Sequence, residues 1–153
     1  MTDWPTVELD PVARLRILAR ALPHVRLVER HIAAPVARVW SIAGDLEHGV
    51  PRFETLVRTA RVLVRDGERL QLEATGLFGA TRLDVLLRPG FCVMHGGPTD
   101  IGMAAAPEGA GTRFAHFEGH RRFGRLAWPY FAWSIPRELA RLARLVEAGD
   151  RTG

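Results

Sequence analysis

The residues best suited to chemistry lie in the stretch Thr112 to His120. It alternates, so Phe114, His116, Glu118 and His120 share one face of a strand, and Ala115, Phe117 and Gly119 share the other. A carboxylate beside an imidazole orients the ring and tunes its pKa toward neutrality. Aldol cyclisation and dehydration need such a pair, which removes a proton next to a carbonyl and delivers one to a leaving hydroxyl. The plainer alternative is a satisfied polar pair at a sheet rim, and residue types alone favour it. Hydrophobicity does not decide which face is interior, and mildly favours the Ala115 set. Two further candidates are His95, at a strand end beside Gly96-Gly97 where backbone can approach a ligand closely, and the phenol of Tyr130.

Other chemistries lack their residues. The histidines do not form a zinc signature, and the single cysteine, Cys92, allows neither a thiolate cluster nor an internal disulfide. Glycine-rich phosphate loops and a nucleophile-elbow serine are missing. No metal and no cofactor are therefore expected. The formal net charge is +4, and all 21 basic Lys/Arg positions are arginine. They are spread along the chain, which fits a compositional bias better than a specific nucleic-acid footprint. No apolar run is long enough to span a bilayer. Nor does the N-terminus show the basic-then-apolar pattern of a secretion signal. A cytoplasmic protein is expected, and homodimer formation stays open.

The elements that must position these residues follow from periodicity. Asp10-Pro11 reads as a cap and first turn, with Val12, Leu15, Leu18, Ala19 and Leu22 on one face up to Pro23. His24 to Ile32 reads as a strand, Val36 to Ile42 as a short helix, and Asp45 to Pro51 as a second short helix or turn ending at the proline. From Leu56 the period becomes two. Asp66-Gly67 and Pro89-Gly90 punctuate a meander of antiparallel strands. Arg82, Asp84 and Arg88 should face water. The last long helix, Trp128 to Ala148, carries an apolar stripe of Trp128, Phe131, Ala132, Ile135, Leu139, Leu142, Ala143 and Val146. Pro136 predicts a kink or two helices in series, and Tyr130 falls opposite the stripe. The layout is α+β: a curved antiparallel sheet wrapped around the last helix, with residues 1–23 as an N-terminal helical extension to a domain over 24–149. One helix does not fill a strongly curved sheet, so a cavity between them is expected.

The run Arg30-His31-Ile32-Ala33-Ala34-Pro35-Val36-Ala37-Arg38-Val39-Trp40 resembles the first strand and helix of the START-like (SRPBCC) superfamily. Asp45-Leu46-Glu47 with Pro51, Arg61-Val62-Leu63, Asp66-Gly67 and Gly111-Thr112-Arg113-Phe114 look like its polyketide cyclase/dehydrase and coenzyme Q-binding branch. The resemblance spans His24 to Ala148 and implies a helix-grip fold. It also implies that the Phe114, His116 and Glu118 face is interior. Unlike the aromatase/cyclases of that branch, the chain has neither tryptophan nor serine between Gly79 and Leu87. The function so implied is binding of a hydrophobic, aromatic or polyketide-like molecule, with cyclase or dehydratase chemistry as a second layer. The expected lining is Phe53, Leu72, Phe78, Leu83, Val85, Met94, Met103, Phe114, Phe131, Ile135 and Leu139. A non-catalytic lipid or quinone carrier, or a module docking on a ribosome or protein, is the competing class.

Overall fold

The computed structural model describes residues 7–76 and 79–149. Helix α1 (Pro11–Ala21) leads into strand β1 (Val25–Ile32), followed by two short helices, α2 (Val36–Ala43) and α3 (Val50–Phe53). Six strands come next: β2 (Val57–Asp66), β3 (Arg69–Gly76), β4 (Gly79–Arg88), β5 (Phe91–Gly96), β6 (Thr99–Glu108) and β7 (Gly111–His120). A 3-10 turn at Gly124–Ala127 opens helix α4 (Trp128–Ala148). The strands form one open, curved antiparallel sheet in the order β1-β7-β6-β5-β4-β3-β2, so β1 and β2 are its edges. Gly67 and Gly90 turn the β2–β3 and β4–β5 hairpins with φ of +58 and +72, values that suit glycine.

Local chemistry sets the helix starts. The Asp10 carboxylate accepts a hydrogen bond from the Ala13 N–H at 2.9 Å, capping α1 ahead of Pro11. Pro51 lies in the first turn of α3, so the proline opens this helix where the sequence suggested that it would end one. Helix α4 runs unbroken through Pro136. That proline is on the exposed face, and so is Ala132 one turn back, whose carbonyl loses its N–H partner. The buried stripe of α4 is Phe131, Ser134, Ile135, Glu138, Leu139, Leu142, Ala143 and Val146. Ser134 and Glu138 thus take places that hydrophobicity assigned to Trp128 and Ala132. Trp128 instead anchors the start of the helix. Its ring lies between the Arg26 and Arg125 guanidiniums, 5.7 and 5.0 Å away, and its indole N–H donates to the His24 carbonyl at 3.3 Å.

The sheet is covered on both faces. Helices α2, α3 and α4 bury the concave side, over a cluster that includes Phe53, Leu72, Met103, Phe114, Ile135 and Leu139. Helix α1 lies on the outer side and packs Val12 and Leu15 on Val25, Ala104, Ala115 and Phe117. Strand β7 is therefore apolar on one side because of α1 and closed on the other because of α4. That is why its alternation did not reveal an inside. Gly102 is the tightest point of the outer layer: a Cβ there would sit 2.5 Å from the Phe117 ring and 2.7 Å from Leu15.

Leu15 is fully buried, so Leu15→Ala should cost about 2–5 kcal/mol in urea unfolding. A loss below about 1 kcal/mol would mean that α1 is only loosely held on the sheet.

Candidate functional site

Four ionisable side chains from three parts of the fold meet under α4. Strand β7 contributes His116 and Glu118, two residues apart and so on the same concave face. Glu54 follows directly on α3, and Glu138 comes from the middle of α4. His116 and Glu138 are 0% exposed, Glu118 4% and Glu54 6%. The His116 Nε2 atom lies 3.1 Å from a Glu54 oxygen, 3.2 Å from Glu118 Oε1 and 3.4 Å from Glu138 Oε2. On its other side the ring's Nδ1–H donates to the Gly102 carbonyl at 2.8 Å. A carbonyl only accepts, so that bond assigns the Nδ1 proton and turns Nε2 toward the carboxylates. Glu138 is pinned in turn: its Oε1 accepts the Thr55 N–H at 2.9 Å. Arg141 holds the same segment through the Phe53 carbonyl and the Thr55 hydroxyl.

Burial and charge pull these groups in opposite directions. Burial alone would push the His116 imidazole toward its neutral form. The Glu54 charge, the hydrogen bond that Nε2–H donates to Glu118 and the nearby Glu138 carboxylate outweigh it and hold the ring well above its usual pKa. Burial and the Glu54 charge push Glu118 well above the ordinary carboxylate range. Glu138 is also raised by burial, but the imidazole and the Thr55 hydrogen bonds bring it below that range. The surroundings thus push the two carboxyls in opposite directions. Tyr130 stands near its edge, 38% exposed. Partial burial raises its phenol pKa first, and the charges of Glu118, Glu138 and Glu54 raise it further. It lies two turns before Glu138 on α4, with Ser134 between them, so it belongs to the side of the helix that faces the carboxylates.

His116 and Glu118 are therefore brought together as expected, and the Phe114 face is interior. His95 is not part of this centre. It pairs with Asp100 and points to the outer face of the sheet, where its Nδ1 lies 2.8 Å from Asp100. His24 Nε2 at 2.6 Å and Arg121 Nε at 2.9 Å hold the same carboxylate. A groove of about 820 Å³ runs beside this knot, with Leu18, Leu22, Leu86, Val93 and Phe117 in its lining. Cys92 is buried and its thiol is pushed up to about 12 by burial, which removes it as a nucleophile. Ten of the expected lining residues, Phe53, Leu72, Leu83, Val85, Met94, Met103, Phe114, Phe131, Ile135 and Leu139, fall in one concave cluster. None is more than 7% exposed, so among the described residues these side chains pack closely between sheet and helix. Phe78 lies outside the described residues.

Glu54 and Glu138 escaped the sequence reading. A signal existed for Glu138, since it falls within the helical stripe, three residues after Ile135 and four before Leu142. Glu54 gave none: it sits in a connection, and only the tertiary fold brings it to His116. The expectation of no metal rested on local spacing, which positions 54, 116, 118 and 138 do not display. The donor atoms of these four all lie within 4.8 Å of one another.

Burial raises the Asp100 carboxyl, but its bonds to His24, His95 and Arg121 outweigh that and bring it below its usual range. A carboxyl lowered in the folded state stabilises fully above its unfolded value, about 4, and loses that effect as pH falls through the folded value. Asp100→Ala should cost about 1–3 kcal/mol at neutral pH, since Arg121 and His95 remain half exposed to water. Thermal melts from pH 7 down to 3 should show a shallower acid loss for the variant, and parallel curves would refute the assignment.

No family model matches the chain, and no curated protein does. Solved structures do. The Zhui aromatase/cyclase from Streptomyces is 14% identical, with a TM-score of 0.65 over 84% of this chain and 98% of that one. A Thermus thermophilus protein is 22% identical, with a TM-score of 0.63 over 82% and 98%. A Mesorhizobium loti protein is 20% identical, with a TM-score of 0.63 over 84% and 98%. Likeness at such identities speaks to the backbone, and it agrees with the open sheet closed over a C-terminal helix. The chain has a helix-grip fold, an open curved antiparallel sheet closed over a C-terminal helix, which it shares with an aromatase/cyclase.

Proposed function

We propose that the protein binds a hydrophobic, aromatic or polyketide-like molecule on the concave side of the sheet, with the His116 centre as its polar end. The observation that carries this reading is the centre itself. Taking each ion out of water costs several kcal/mol, and apolar residues of similar size would close this core more cheaply. Four ionisable groups meeting at one point of an apolar interior are better explained by a task than by stability. The carboxylates and the imidazole supply what a cyclisation or dehydration needs, a group that accepts a proton and a group that returns one. The aromatase/cyclase of the same fold supports that reaction class.

A guest must displace some of these side chains, because the described lining residues are closely packed. Met94, Met103 and Phe131 are the best suited to give way: methionine is unbranched and adapts to irregular contacts, and Phe131 retains some exposure at 7%. Tyr130, beside Phe131, would then offer its phenol to a guest carbonyl.

Native mass spectrometry of the full chain should show a co-purified small molecule. Tryptophan fluorescence should also report saturable binding of a hydroxylated anthraquinone. A bare chain mass together with no titration would refute the reading. The catalytic layer is tested with a tethered poly-β-ketone: His116→Ala should retain binding of the anthraquinone and lose turnover. Normal turnover in that variant would remove His116 from the chemistry.

A further inference from the structure

We propose that Glu54, His116, Glu118 and Glu138 form a binding site for one divalent first-row transition-metal ion. The inference concerns the same centre as the proposed function but does not depend on any organic guest.

The first argument is the imidazole. Its Nδ1–H is fixed on the Gly102 carbonyl at 2.8 Å, the arrangement that orients a histidine as a metal ligand through its other nitrogen. Nε2 then faces three carboxylate oxygens at 3.1, 3.2 and 3.4 Å. Donors placed tetrahedrally about 2.0–2.1 Å from an ion are about 3.3 Å apart, which matches these separations. The carboxylates stand somewhat further from one another, with all four donors within 4.8 Å, and an ion would draw them inward.

The second argument is what a proton leaves undone. Without an ion, one Nε2–H must serve three carboxylates. It reaches Glu118, while Glu54 Oε1 and Glu138 Oε2 stay buried without a hydrogen-bond partner. Buried acceptors in that condition call for an explanation. A single ion at the common centre would satisfy both. The donor set, one imidazole nitrogen and carboxylate oxygens, suits Zn²⁺, Mn²⁺, Fe²⁺ or Co²⁺ better than a thiophilic ion.

The test uses the full chain, treated with chelator and titrated with Co²⁺ in the absence of any organic molecule. One equivalent should bind per chain, with a visible absorption band more intense than that of the hydrated ion and a rise in Tm. His116→Gln and Glu138→Gln, checked for folding by circular dichroism, should weaken binding at least by the roughly 100-fold that loss of an outer partner can reach. His48→Ala, at an exposed histidine, should leave it unchanged. Binding should also weaken as pH falls, because the ligands must lose their protons. Failure of the unmodified chain to bind one equivalent would overturn the proposal without recourse to any variant. Equal binding by the glutamine variants would do the same. Failure of the anthraquinone titration would leave it standing, so the two readings fail separately.

Discussion

An imidazole and three carboxylates shut away from water form the constraint around which the rest of the molecule is arranged. Several members of the group are held by the surrounding chain. The Gly102 carbonyl fixes one side of the ring, and Thr55 fixes Glu138. Arg141 ties down the segment that carries Glu54 and Thr55. These supports reach from β6 to α4, so most of the concave layer helps to aim one nitrogen atom. The opposite pulls on Glu118 and Glu138 follow from the same crowding: burial and the neighbouring charge raise the first, while the imidazole and Thr55 lower the second.

The outer layer is joined to the inner one through β6. At Gly102 the chain meets Leu15 and Phe117 on one side, while its carbonyl orients His116 on the other. A residue without a side chain is needed there for packing, and its backbone is needed for orientation. Helix α1 is thus coupled to the centre through a single peptide unit, although it lies on the opposite face of the sheet.

How much of this was legible in the sequence depended on how local each signal was. The hairpins at Gly67 and Gly90, the Asp10 cap and the alternation of β3 and β4 were readable, because each depends on neighbours in the chain. The face of β7 was not, since α1 makes the outer side as apolar as the inner one. Pro136 did not split the helix in two, because the effect of a proline depends on the surroundings of the carbonyl it frees. His95 was assigned by its neighbours Gly96 and Gly97, when the deciding fact was its pairing with Asp100 on the outer face. Half of the centre was visible as His116 and Glu118. The other half needed contacts across 62 and 22 positions from His116, which periodicity does not carry.

The two edges of the sheet bear a further consequence. Strand β2 presents Arg58, Arg61 and Arg65, and β1 presents Arg26 and Arg30, all exposed. An open ladder can recruit a strand from another molecule, and positive charge along it is a common safeguard. Two rims of like sign repel each other edge to edge, which discourages filament growth by strand addition. The arginine bias that said little about function thereby helps to keep separate copies of the chain apart.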